Sequence, residues 1–312
     1  MGVQSGSRVL LFMMKTLKLI LITLFAAVAC SNDVEILPCP EIIPNPAEVQ
    51  MQAGTFDVAG AEVVLSGSLD SLSKAYLTAF AEHLSAVTGN EDGRGRIIFR
   101  QDASMTSSCP GPLGKEENYS IEIKPRKITV RAAGLNGFVY AVQTLKQMMP
   151  PQIYGKELAP EVCWEIPCCT IEDFPRFGYR GMLLDVARHF YTVDEVKKFI
   201  DMMEIHKMNV FHWHLTDDQG WRVEIKKYPE LTQIGSKRRH TLVGHHHTSN
   251  EYDGKPYGEG MWYSQEQIRD VVAYAASKGI TVIPEIDLPG HMMGALATYP
   301  ELGCTGGPYE VM

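Results

Sequence analysis

Asn209-Val-Phe-His-Trp-His-Leu215 is an apolar run carrying two histidines, and Thr216-Asp217-Asp218 follows it directly. It reads as a β-strand with its polar residues gathered at the C-terminal end. Upstream, Met182-Leu-Leu-Asp185 is a shorter apolar strand that also ends in an acid. Between the two, Thr192-Val-Asp-Glu195 is a capping box, and Val196, Phe199, Ile200 and Met203 repeat at helical spacing to about Lys207. Downstream, Ser264-Gln-Glu-Gln267 is a second capping box, with Ile268, Val271, Val272 and Ala275 as its apolar stripe. Gly279 closes that helix, and Ile280-Thr-Val-Ile-Pro-Glu285 is a third strand. A β-α-β-α-β series predicts parallel strands joined by crossover helices. Residues 217–263 are then an inserted loop on the side where such folds place function.

The preceding residues have a different rhythm. Ala61–Leu65 and Arg96–Arg100 read as strands, and Ser71–Thr88 as a helix closed by Gly89. Tyr119–Ile123 and Ile128–Arg131 alternate strictly around a Pro125-Arg126 turn, and Leu135–Met149 is a helix stopped by Pro150-Pro151. This predicts a small α/β sandwich-like domain with its helices over one sheet, within residues 51–170. Residues 30–50 read as a tether, and Pro160, Pro167 and Pro175 mark a linker.

At the N-terminus, Lys15 and Lys18 precede an apolar run from Leu19 that ends in Ala26-Ala27-Val28-Ala29-Cys30. The run is about half of the ~20 residues a membrane span needs. It reads as a signal peptide within residues 1–29, with Cys30 as the lipidated N-terminus of a bacterial lipoprotein. A plainly cleaved signal and an uncleaved anchor are the alternatives. The expected location is periplasmic or cell-surface, held to the membrane through lipid on Cys30. The remaining cysteines (Cys39, Cys109, Cys163, Cys168, Cys169 and Cys304) show no zinc-ligand spacing. A net charge of −8 disfavours a nucleic-acid partner, which would call for a basic face.

The polar candidates cluster by strand. The first strand offers Arg180, Asp185, Arg188 and His189. The second offers His212, His214, Asp217, Asp218 and Arg222, and the third Glu285, Asp287 and His291. In a barrel such ends converge on one mouth. Catalysis, sugar binding and metal binding all remain open for such a set. Asp185 could equally cap the following turn, and Trp213 and Trp221 fit packing as well as sugar stacking. His212 and His214, at i and i+2 on a strand, have the spacing of a metal pair, but no further ligand set accompanies them, so neither metal nor cofactor is expected.

Three stretches closely resemble glycoside hydrolase family 20, the β-N-acetylhexosaminidases. They are Tyr179-Arg-Gly-Met-Leu-Leu-Asp-Val-Ala-Arg-His-Phe190, Asn209–Arg222 and Ile283-Pro-Glu-Ile-Asp-Leu-Pro-Gly-His291. Residues 51–150 also resemble the small domain that precedes the barrel in that family. The resemblance implies the first three strands of an incomplete (β/α)₈ TIM barrel over residues 171–312. It implies exo-hydrolysis of terminal N-acetylglucosamine or N-acetylgalactosamine, in which the substrate's own 2-acetamido oxygen attacks the anomeric carbon. Arg180 matches the arginine that binds sugar hydroxyls. Asp217 and His291 match the pair that tunes the acid/base glutamate, Asp287 an acid near the site, and His214 and Asp218 supporting positions.

The family's Asp-Glu pair follows residues reading much like Gly-Gly-Asp-Glu, and the sequence contains no such motif. The acid/base Glu and orienting Asp are therefore expected beyond Met312, and these residues alone are expected to be inactive. A complete barrel takes about 250 residues, so residues 171–312 accommodate only part of one. The rival readings are a non-catalytic carbohydrate-binding protein and a metal-dependent barrel hydrolase using His212 and His214.

Overall fold

The computed structural model describes residues 37–89, 93, 95–106, 109–245 and 247–312. The apolar run before Cys30, and Cys30 itself, lie outside the described residues. Among the described residues no helix is long and apolar enough to cross a membrane.

Six strands form the first sheet: β1 (Glu48–Asp57), β2 (Glu62–Ser66), β3 (Arg96–Gln101), β4 (Tyr119–Lys124), β5 (Lys127–Ala132) and β6 (Glu165–Asp173). Their order is β1-β6-β4-β5-β3-β2. Alternation decides which face is buried: Ile97 and Phe99, then Ile121 and Ile123, then Ile128 and Val130 are withdrawn from solvent. Two helices cover that face, α1 (Ser71–Thr88) and α2 (Leu135–Met148). Asp70 caps α1 by accepting from Ser73 N at 2.9 Å. Phe80 of α1 and Phe138 of α2 both meet Phe99 edge-on, at 5.9 and 6.1 Å.

Two strands arise where the sequence reads as tether and linker. β1 begins at Glu48, and β6 runs through Pro167 to Asp173, paired antiparallel with β1. The proline is tolerated because β4 pairs with β6 only as far as Cys169, while on the other side Pro167 faces Thr55 beside a bulge. Cys168 and Cys169 on β6 are buried and unbridged, and burial pushes the Cys169 thiol up to about 12.

The second sheet contains β7 (Gly181–Asp185), β8 (Val210–Asp217), the two-residue β9 (Gly220–Trp221) and β10 (Thr281–Ile286). β7, β8 and β10 are parallel in the order β10-β8-β7. The crossovers are α3 (Val193–Ile205) and α5 (Gln265–Ser277), each opened by the expected capping box at Thr192 and Ser264. Between them lies α4 (Glu230–Gln233), and α6 (Met293–Thr298) follows β10. Phe211, Trp213 and Leu215 of β8 join Ile200, Met203, Val271 and Ala275 from α3 and α5 in a second core. The opposite side chains, His212 and His214, therefore face away from the helices.

Where the two sheets meet, Glu117 is fully buried. Its carboxylate accepts from Arg180 Nη1 at 2.7 Å, Tyr140 OH at 2.9 Å, Asn209 Nδ2 at 2.9 Å and Asn136 Nδ2 at 3.2 Å. Arg180 also donates to the Lys207 and Phe177 carbonyls and to Tyr140 OH. Asn136 reaches Gly279 O at 2.9 Å, and that glycine has φ 74°, with a Cβ there meeting Asn136 at 2.9 Å. A side chain at 279 would thus be strained twice.

The expected role of Arg180 as a hydroxyl binder is not carried by this arrangement. Arg180 precedes β7, at the N-terminal end of the strand and away from the acids, and its donors are directed to protein oxygens. Arg180→Ala is expected to lower unfolding free energy by roughly 3–5 kcal/mol in urea titrations, because it strands a buried carboxylate. Arg96→Ala, which breaks an exposed pair with Glu62, is expected to change it by less than about 1 kcal/mol. Equal losses for the two variants would contradict this account.

Candidate active site

The C-terminal ends of β7, β8 and β10 bring together Asp185, Arg188, His214, Asp217, Asp218, Glu285, Asp287 and His291. In the parallel register Asp185 and Glu285 both stand opposite His214. Residue spacing alone set these acids on separate strands, and the pairing makes them neighbours.

Asp217 is almost wholly buried and organises the group. Its Oδ2 accepts from Arg188 Nη2 at 2.7 Å and pairs with His214 Nε2 at 2.8 Å. Its Oδ1 accepts from Asp218 N at 2.7 Å and lies 3.2 Å from His291 Nδ1. That same nitrogen stands 3.2 Å from Asp218 Oδ2. Asp218 Oδ1 in turn accepts from Met293 N at the start of α6. His291 adopts φ 51°, a left-handed conformation uncommon for a residue with a side chain.

His214 has a carboxylate on each ring nitrogen, Asp217 on Nε2 and Glu285 on Nδ1 at 2.6 Å. Burial pushes its pKa down, but the hydrogen bonds to Glu285 and Asp217 outweigh that, and the net shift is upward. Glu285 also meets His212 Nε2 at 2.6 Å. Burial raises the Glu285 carboxyl and the two imidazoles lower it, with the net shift downward. His291 is raised, first by the charge of Asp217 and then by the hydrogen bond to Asp218.

Asp185 does cap the turn after β7, its Oδ1 accepting from Ala187 N and Arg188 N at 3.0 and 3.1 Å. It also pairs with Arg188 Nη1 at 2.8 Å. Arg188 Nε donates to Gln219 Oε1 at 2.9 Å. The guanidinium therefore lies between β7 and the insertion after β8, and it lines a cavity of about 540 Å³ together with Asp218, Gln219, Tyr252 and His291. Arg188, rather than Arg180, is the arginine at this mouth. Its position eight residues farther along, beyond the acid that ends the strand, was the available signal. Asp287 anchors its main chain on Thr216 Oγ1 at 2.9 Å. Trp221 is buried, its indole donating to Val223 O, and does not face the cavity.

Among the described residues, two groups have donor atoms close enough to suggest a metal: His214, Glu285 and Asp287, and Asp217, Asp218 and His291. In the first, the His214 and Glu285 atoms are only 2.6 Å apart. Ligands about 2.1 Å from a tetrahedral ion stand well over 3 Å from each other, so this is hydrogen-bond rather than coordination geometry.

Residues 39–174 match the glycosyl hydrolase family 20 domain 2, and residues 177–311 match the family 20 catalytic domain. A β-hexosaminidase of Porphyromonas gingivalis is 38% identical over 90% of this chain and 35% of its own length. A β-N-acetylhexosaminidase of Cellulomonas fimi is 36% identical over 88% of this chain and 51% of its own. Among solved structures, the Streptomyces plicatus N-acetyl-β-hexosaminidase in complex with Thio-NAglucal superposes with a TM-score of 0.71 at 32% identity, covering 89% of this chain and 52% of that one. The chain belongs to glycoside hydrolase family 20, and it spans between about a third and a half of the length of these curated relatives.

Because its folded pKa is raised, the stabilisation from His214 is complete below the ordinary value of 6.5 and fades as pH rises through the folded value. Melting curves taken upward from pH 6.5 are expected to show Tm falling, and His214→Asn should flatten that slope. A slope that survives the substitution would assign the effect elsewhere.

Proposed function

We propose that this mouth binds the terminal 2-acetamido sugar of a glycan, as part of a β-N-acetylhexosaminidase removing terminal N-acetylglucosamine or N-acetylgalactosamine. The observation that carries the reading is the linked array of Arg188, Asp217, His214 and His291 at three strand ends. In this reading β7, β8 and β10 are the first three strands of a (β/α)₈ barrel over residues 171–312, preceded by the small domain within 51–170. The half-exposed Leu183 and Ile283 support a sheet that continues past both edges.

Each residue has a chemical part. Arg188 presents a partly exposed guanidinium to the cavity, its plane fixed by Asp185, Asp217 and Gln219, which suits donation to a sugar hydroxyl. Asp217 and His291 form the polar pair that tunes the acid/base group, with His214 and Asp218 holding them in place and Asp287 adding negative charge near His291. The sugar's own acetamido oxygen attacks the anomeric carbon as the leaving oxygen takes a proton, so a preorganised pocket contributes mainly orientation. The Gly-Gly-Asp-Glu motif that would supply the proton and orient the acetamido group does not occur in these 312 residues.

Calorimetric titration with N-acetylglucosamine is expected to show binding that Arg188→Ala weakens by about ten- to a hundredfold, the loss of hydrogen bonds to a charged donor. Arg180→Ala, assayed where it remains folded, should leave affinity unchanged. Affinity indifferent to Arg188 would sink the reading. Release of p-nitrophenol from its N-acetylglucosaminide by these 312 residues is expected at background. Turnover abolished by Asp217→Asn would show that they suffice.

The export reading belongs to the same proposal: the chain is lipidated on Cys30 and held at a bacterial membrane surface. Cells expressing it with labelled palmitate should yield a labelled protein, and Cys30→Ala should yield none. Label retained in that variant would contradict lipidation at this cysteine.

A further inference from the structure

Beside Arg188 lie two buried guanidinium groups, Arg222 behind the mouth and Arg238 at the cavity wall, whose hydrogen bonds go chiefly to main-chain carbonyls. Arg222 is fully buried. Its Nε and Nη2 donate to Ala187 O at 3.3 and 2.9 Å, and Nη2 also reaches Gln219 O at 3.4 Å. Its Nη1 donates to Ser236 O at 2.6 Å and Met261 O at 3.1 Å. Arg238 donates to Gln219 O at 3.0 Å, Arg188 O at 2.9 Å and Thr241 Oγ1 at 3.0 Å. Both guanidinium groups lie over the ring of Tyr257, 4.0 Å from its centroid for Arg238 and 5.6 Å for Arg222. The Tyr257 hydroxyl accepts from Phe190 N at 2.8 Å.

The targets of these bonds are selective. Ala187 O, Arg188 O and Phe190 N bracket Arg188. Gln219 O belongs to the residue whose side chain accepts from Arg188 Nε. The same two guanidinium groups therefore hold both ends of the Arg188–Gln219 bond.

This arrangement is costly unless carbonyl placement matters. Two like charges are buried side by side, and no carboxylate pairs with either among the described residues. Burial, and then the charge of Arg238, lower the Arg222 pKa to about 10. Apolar residues of similar volume would pack this space at lower electrostatic cost. Guanidinium forks, unlike an ammonium, reach several carbonyls at fixed angles.

We propose that Arg222, Arg238 and Tyr257 form a clamp that positions Arg188 and Gln219 at the sugar-binding mouth. The clamp rests on the reading of that mouth as a sugar site. Arg222 and Tyr257 stand outside the cavity lining, and Arg238 borders it. They act through the segment 187–190, by fixing the direction from which the Arg188 guanidinium enters the cavity.

The test follows the Arg188 Nε–H by NMR in the full chain, the resonance being identified by its loss in Arg188→Lys. Arg238→Lys keeps the charge but loses the fork, and Tyr257→Phe keeps the ring but loses the acceptor for Phe190. Each is expected to speed solvent exchange of that proton by about tenfold or more, as for loss of one charge-assisted hydrogen bond. The amides of Ile121 and Val130 in the six-stranded sheet should be unaffected, which separates positioning from general loosening. Affinity for N-acetylglucosamine should fall in step with the exchange rate. Unchanged exchange in both variants overturns the clamp, as does acceleration shared by Ile121 and Val130. Faster exchange at Arg188 in a parent that binds no N-acetylglucosamine would uphold the clamp and remove the sugar reading instead.

Discussion

A carboxylate shut away from water is tolerated only with donors on all sides, and Glu117 has four. Two come from α2, through Asn136 and Tyr140, and two from the start of the parallel sheet, through Arg180 and Asn209. The charge therefore cannot be satisfied unless the two sheets are docked. Asn209 Oδ1 also accepts from Arg180 N at 2.8 Å, so the cluster sets β7 beside β8 at their shared N-terminal edge. Since β7 and β8 run in register from there, the constraint carries along to Asp185 and His214 at the far end.

Two further buried clusters share the load. Glu204 receives Tyr76, Gln143 and Lys278. Lys207 reaches Tyr119 and Asp173 at 2.7 and 3.0 Å. Each joins a residue of the six-stranded unit to one of the parallel unit. The small unit thus braces the parallel strands from behind, and among the described residues none of it lines the mouth.

At the mouth the physics is different. Most groups there share charge-assisted hydrogen bonds, and the chain Glu285–His214–Asp217–Arg188 alternates acid with base. An array of that kind is rigid because moving one member leaves a charge unpaired in a partly desolvated place. It is suited to holding a polar, neutral ligand at fixed angles and to setting the charge state of an acid placed beside it. The insertion after β8 completes the array from outside, through Gln219, Arg222 and Arg238.

Sequence by itself determined the elements whose local signals agree. Helix α1 was legible as Ser71–Thr88 closed by Gly89, α3 and α5 from their capping boxes, and the parallel strands from apolar runs between helices. It also marked Asp217, His214 and His291 by their place at strand ends and by family resemblance. β1 and β6 were illegible because a polar stretch and a proline carry no strand signal until a partner supplies the hydrogen bonds. The choice between Arg180 and Arg188 was illegible for a related reason. Both flank one strand, and chain position does not say which end of it faces the ligand and which faces a buried glutamate from another domain. Only the tertiary structure decided that, because Glu117 lies 63 residues from Arg180 in sequence and 2.7 Å from it in space.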